Sequence, residues 1–264
     1  MSTNVKGPVL VDKLGHVTRI TLNRPEAGNA IDIPMARALL DAGIECDEDD
    51  SVRCVLITGN GNLFCAGGDI SEFVSASDSI GTHIKQITGY FHAALTRFLH
   101  MKKPVITAIN GPAAGAGMSL AIAGDIVVAT ESAHFTAAYG KLGYTPDGGM
   151  SWTLPRLVGL RRAQELLITN RRVEAQEALG IGLVTRVVGE AALIAETTNL
   201  ARQLASSATG AIGRTRALLL SSFVTSLETQ LENEAQSIAQ SARSGDGREG
   251  VAAFAERRKP NFPV

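Results

Sequence analysis

The apolar runs Val52 to Thr58, Val105-Ile106-Thr107-Ala108-Ile109 and Ile126-Val127-Val128-Ala129 constrain this chain most. None of them alternates polar with apolar residues, so a strand made from any of them has to be covered on both faces. Between the first two lies a helical pattern at residues 80–101, with Ile84, Ile87, Phe91, Leu95 and Phe98 at three- and four-residue steps and Pro104 closing it. Between the last two lies NGPAAGAGMSLAIAGD, residues 110–125. Strand, helix and strand in succession indicate an α/β core with parallel pairing. Upstream, Val9-Leu10-Val11 and Val17 to Leu22 flank Leu14-Gly15-His16 and read as a hairpin. Asp32 with Pro34 then opens a helix over roughly residues 33–46.

Beyond about residue 145 the pattern is mostly helical, with candidates at 160–169, 174–180, 190–206, 209–220, 223–243 and 246–258 and one short strand from Val184 to Val188. In the helix at 223–243, Leu227, Leu231 and Ile238 share a stripe that suits either an oligomer contact or packing on its own domain. The net charge is −1 and basic residues form no long stripe, which argues against nucleic acid as the main partner. Cys46, Cys54 and Cys65 form no CxxC pair, so neither a disulfide framework nor a structural metal is expected. His16, His83, His100 and His134 show no ligand spacing. The polar start (Ser2, Thr3, Asn4, Lys6) lacks a signal-peptide core, and no apolar run reaches the roughly 18 residues of a membrane span. A cytoplasmic protein is expected.

Residues 110–125 allow several chemistries. GMSLA places Ser119 one residue short of the GxSxG of a nucleophile elbow, after a strand and at the start of a helix. However, Ala121 replaces the last glycine, and Asp125 and His134 lie too near in the chain to fold back as triad partners. Gly115-Ala116-Gly117 begins a dinucleotide fingerprint, but the bulky Leu120 holds the third glycine's place. A small-residue turn at a helix N-terminus fits better, since it leaves backbone N–H groups free to receive a substrate oxygen. That is half of an oxyanion hole, and FCAGGDI at residues 64–70, another turn after a strand, can supply the other half.

In chain order, NRPEAGNAI, FCAGGDI, KPVITAINGPAAGAGMSLAIAGD, LGYTPDGGMSWTLPRLVGLRRAQELLITNRRVEAQEALGIGLVTRVV and FAERRKPNF closely resemble the enoyl-CoA hydratase/isomerase (crotonase) superfamily over nearly the whole chain. The resemblance implies a spiral of ββα units, here residues 1–200, with a helical C-terminal region, 201–264, that builds trimers or dimers of trimers and covers the active site. It implies an acyl-CoA thioester substrate, coenzyme A being part of the substrate, with no separate cofactor and no metal. Gly68 and Ala116 fall on the two oxyanion-hole positions. Arg24, Glu26, Ala27, Ala66 and Ile70 fall on the wall that holds adenine and phosphate. Phe254 and Arg257 match a tail that closes the pocket from a neighbouring subunit.

The departures from the family pattern bear on the reaction. Hydratases of the family carry two glutamates, and here those positions are Ser119 and Tyr139. Water addition uses one carboxylate to activate water and another to deliver a proton, so ordinary hydration is not expected, although a hydratase remains an alternative. Asp147, in TPDGG, falls where the family's isomerases place their acid/base, and the resemblance is closest to the phenylacetate-pathway isomerase type. One carboxylate suffices to move a proton from Cα to Cγ. A second alternative follows 4-chlorobenzoyl-CoA dehalogenases or CoA-thioester hydrolases, with Asp147 as nucleophile and His92 as its partner, although Tyr139 stands where the dehalogenases have tryptophan. His92, Ser119, Tyr139 and Trp152 are candidate pocket residues. A non-catalytic or RNA-binding member is the remaining alternative.

Overall fold

The computed structural model describes residues 7–262; the polar start at residues 2–6 lies outside the described residues. The chain begins with a hairpin of β1 (Val9–Leu14) and β2 (Val17–Leu22), followed by α1 (Ile33–Glu48), whose N-terminus is capped by the Asp32 carboxylate accepting from the Met35 amide at 2.7 Å. Next come β3 (Cys54–Gly59), α2 (Ile70–Ala76), α3 (Ile80–His100) and β4 (Val105–Ile109). β3 starts two residues later than its apolar run, because the Val52 amide is taken into a turn on the Asp49 carbonyl.

β5 (Ala113–Ala114) leads to α4 (Ala116–Ala121), and β6 (Ile126–Thr130) and β7 (His134–Thr136) lead to α5 (Met150–Val158) and α6 (Leu160–Thr169). β8 (Val173–Glu174), α7 (Ala175–Gly180) and β9 (Arg186–Val188) complete the spiral. From β4 to β7, successive strands alternate between two sheets, and β8 then pairs with β7 in the second. The large sheet runs β1-β2-β3-β4-β6-β9, parallel from β2 onward, and the small one runs β5-β7-β8. The spiral of ββα units implied by the sequence is therefore the architecture. The chain closes with α8 (Leu193–Ala205), α9 (Thr209–Ser221), α10 (Leu227–Arg243) and α11 (Gly245–Ala255).

Side-chain alternation along the large sheet explains its unbroken apolar runs. Val55, Ile57, Val105 and Ile109 join the main core with α1 and α3, while Cys54, Leu56, Ile106 and Ala108 join a second core with Leu193, Ala201 and Ala205 of α8. Residue 200 thus falls inside a helix that covers the sheet, and the helices that stand away from the spiral begin with α9. Arg216 of α9 ties them back by an ion pair to Asp125 at 2.8 Å and by bonds to the carbonyls of Met101 and Phe98. Both βα turns of interest, after β3 and after β5, leave the strands at the same end of this frame, where a short parallel bridge joins Cys65 to Ala113.

Candidate active site

The backbone around Gly68 is fixed by a second short bridge. The Ile31 amide donates to the Gly67 carbonyl at 2.7 Å, and the Asp69 amide donates to the Ile31 carbonyl at 3.1 Å. A peptide is planar and trans, so its N–H points opposite to its C=O. With the Gly67 carbonyl held on Ile31, the Gly68 N–H faces the other way. Ala116 is the first residue of α4, where a helix leaves N–H groups without internal acceptors, and the Gly115 carbonyl already accepts from Met118 and Ser119. Gly117 lets the two turns approach, since a Cβ there would stand 2.3 Å from the Cys65 carbonyl oxygen. Gly68 and Ala116 line one cavity of about 430 Å³.

Asp147 lines the same cavity and is the only carboxylate among its described lining residues. Its Oδ1 accepts from the Tyr139 hydroxyl at 2.6 Å. Burial, and then the neighbouring Asp147 charge and this bond, push the Tyr139 phenol far above its ordinary pKa, so it stays a proton donor at neutral pH. Ser119 is buried, and its hydroxyl donates to the backbone carbonyl of Asp147 at 3.0 Å. The residues at the two glutamate positions therefore converge on Asp147, one on its side chain and one on its main chain.

His92 adjoins Asp147 but is not among the residues that line the cavity. Its Nε2 is 3.0 Å from the Gly148 amide and 3.4 Å from Asp147 Oδ2. A backbone amide can only donate, so Nε2 accepts there and carries no hydrogen for Asp147. The longer approach is then a close contact between two acceptors. Gly148 itself has φ +59°, and a Cβ on it would stand 2.7 Å from the Ser119 Cβ and 3.0 Å from the Phe91 ring. No other residue type fits the turn that presents Asp147.

The remaining candidates separate. Ala66 and Ile70 line the cavity rim. Arg24 is turned inward, its guanidinium 2.9 Å from both Asp32 and Asp69. Glu26 and Ala27 form a short 3-10 turn and do not line the cavity. Trp152, read as a pocket candidate, lies outside it. Met150, Leu154 and Val158 form the buried stripe of α5, and helical periodicity puts Trp152 off that stripe, edge-on to Phe223 at 5.7 Å with the Arg156 guanidinium 4.0 Å over its ring. Phe254 and Arg257 are exposed and do not line the cavity of their own chain.

The cavity walls that sequence reading left unplaced are mostly apolar, with Phe73, Ile84, Ile87, Leu142 and Tyr144 beside Thr88 and Thr145. Ile84 and Ile87 carried a signal in the α3 periodicity. Phe73 carried none, yet its ring reaches within 2.6 Å of where a Gly68 Cβ would stand, so a glycine is needed beneath it.

Residues 12–263 match the family model described as Enoyl-CoA hydratase/isomerase. The chain is 37% identical over 257 residues to 1,2-epoxyphenylacetyl-CoA isomerase of Escherichia coli (strain K12), covering 94% of this chain and 97% of that one. It is 34% identical to 4-chlorobenzoyl coenzyme A dehalogenase-2 of an Arthrobacter species, covering 97% and 91% of the two chains. The crystal structure of an enoyl-CoA hydratase from Polaromonas sp. JS666 superposes with a TM-score of 0.93 at 33% identity, covering 97% of this chain and 100% of that one.

Proposed function

Since this chain belongs to the enoyl-CoA hydratase/isomerase family, we propose that it is an acyl-CoA isomerase of the phenylacetate-pathway type, shifting a double bond by proton transfer at Asp147. The observation that carries this reading is that Asp147, the only carboxylate among the described lining residues, shares one cavity with Gly68 and Ala116. In this proposal the thioester oxygen lies between the two amides. Oδ2 of Asp147 takes a proton from Cα, and the electron pair of that bond moves into an enolate held by the amides. The acid so formed returns the proton to Cγ, and the double bond ends between Cα and Cβ. Such amide stabilisation contributes about 3–4 kcal/mol in comparable sites. Tyr139 occupies Oδ1 throughout, which leaves Oδ2 for the proton.

Ser119 and Tyr139 support isomerisation over hydration, because neither offers a second carboxylate to activate water. The mostly apolar walls and the absence of any cationic side chain among the described lining residues support an uncharged, apolar acyl group. The reaction needs no metal or redox cofactor, coenzyme A arriving as part of the substrate. The proposal includes a cytoplasmic enzyme working as a homotrimer or dimer of trimers, with Phe254 and Arg257 reaching a neighbouring subunit's pocket. A dehalogenase-like reading is favoured by one observation, the 3.4 Å approach of His92 to Asp147. It is weakened by the Gly148 amide, which already occupies the His92 Nε2 lone pair.

The test is a 3-enoyl-CoA assay with wild type and Asp147→Asn. Loss of one positioned acid/base costs roughly 10²–10⁴-fold in rate. Equal rates would remove Asp147 from the mechanism, and crotonyl-CoA hydration at ordinary enzyme rates would replace isomerisation by hydration.

A further inference from the structure

We infer that Arg24 is a positioning residue for the oxyanion hole rather than a ligand for the phosphates of coenzyme A; this rests on the reading of the Gly68 amide given above. The Arg24 side chain is 21% exposed. One arm of its guanidinium bonds Asp32 at 2.9 Å and the Ala30 carbonyl at 2.7 Å, and the other bonds Asp69 at 2.9 Å. Each aspartate divides its two oxygens. Asp32 gives Oδ1 to the Met35 amide at the start of α1, and Asp69 gives Oδ1 to the Ser71 amide at the start of α2. Each gives Oδ2 to Arg24.

Arg24 therefore grips both sides of the bridge that aims the Gly68 N–H. On one side it holds residues 30 and 32, which flank Ile31. On the other it holds Asp69, the residue after Gly68. The main chain of Arg24 is fixed as well, its amide donating to Asn29 Oδ1 at 2.9 Å and its carbonyl accepting from the Asn29 amide at 2.8 Å. The guanidinium also places a positive charge between two buried carboxylates next to the site where the enolate forms. Without it, two uncompensated negative charges would oppose the developing negative oxygen. A guanidinium with both arms engaged has little left to offer a phosphate.

The experiment compares Arg24→Gln and Asp69→Asn with wild type on a 3-enoyl thioester of coenzyme A and on the same thioester of pantetheine, which lacks the nucleotide phosphates. Asp69→Asn keeps a good helix cap while breaking the ion pair, and so serves if Arg24→Gln folds poorly. A kcat loss of about tenfold or more is expected, a share of the ~10²–10³-fold that loss of a whole oxyanion donor costs. It should be equal on both thioesters, with little change in KM. A second readout is the red shift in absorption of a bound conjugated aromatic acyl-CoA, which reports carbonyl polarisation without any proton transfer and should shrink in both variants. A rise in KM seen only with coenzyme A, with kcat and the red shift intact, overturns the inference and restores Arg24 as a phosphate ligand. If wild type itself neither isomerises nor shifts the band, the proposed function fails instead.

Discussion

Ser119 stands where the family resemblance places a hydratase glutamate, and the structure gives a packing reason why glutamate is not simply missing. The residue is buried, its Cβ faces the Cα of Gly148, and its hydroxyl holds the Asp147 carbonyl. A longer side chain has no room there, and overpacking a filled site costs about 1–3 kcal/mol. Ser119→Glu is therefore expected to melt lower than wild type and to gain no hydration of crotonyl-CoA. A variant that hydrates it while melting like wild type would refute this account. Tyr139 poses the complementary case, since its phenol remains protonated and donates to Asp147 at 2.6 Å. A hydrogen bond to a charged group is worth about 1.5–3 kcal/mol. Tyr139→Phe should lower kcat by roughly tenfold to a hundredfold at 1.4 kcal/mol per decade, with KM nearly unchanged; an unaltered kcat would show that Asp147 is oriented by other means.

At the scale of elements, the site is an arrangement of helix starts. α1 and α2 are capped by aspartates that share Arg24, and α4 begins bare at Ala116. Burial alone would raise the Asp69 pKa, but hydrogen bonds from Ser71, Arg24 and the Glu72 amide outweigh it, so the carboxyl titrates below its ordinary value. A depressed folded pKa contributes stability that is complete above the unfolded value of about 3.9 and is lost as pH falls through the folded one. Asp69→Asn is thus expected to melt lower than wild type at pH 7 and to lose less of its midpoint on acidification toward pH 3. Parallel melting curves of the two proteins over that range would rule out the linkage. Helix α5, which carries Asp147's turn into the fold, has no distinct sequence signal because Pro155 lies inside it.

For the whole molecule, α10 matters most. Leu227, Leu231 and Ile238 are 69%, 55% and 71% exposed, so the stripe does not pack on its own chain. A partner copy over this stripe is expected in the proposed trimer. Leu231→Glu should then shift the sedimentation mass toward the monomer, and an unchanged mass would remove α10 from the interface. The sequence by itself determined the α/β core with its parallel pairing and the two small-residue turns, and the family resemblance marked the missing paired glutamates and Asp147. The first two are local properties, written in periodicity and side-chain size along contiguous stretches, and the last two are read by matching motif positions. Only the tertiary structure decided that Ser119 braces Asp147, that His92 accepts from Gly148, that Arg24 turns inward and that Trp152 turns away. The small sheet belongs with these, because β5 and β8 have two residues each and are too short to show a period. The physical reason is common to all of them. A hydrogen bond or an ion pair depends on where atoms from distant parts of the chain meet, and His92 reaches Gly148 across 56 residues, a distance over which sequence pattern carries no direction.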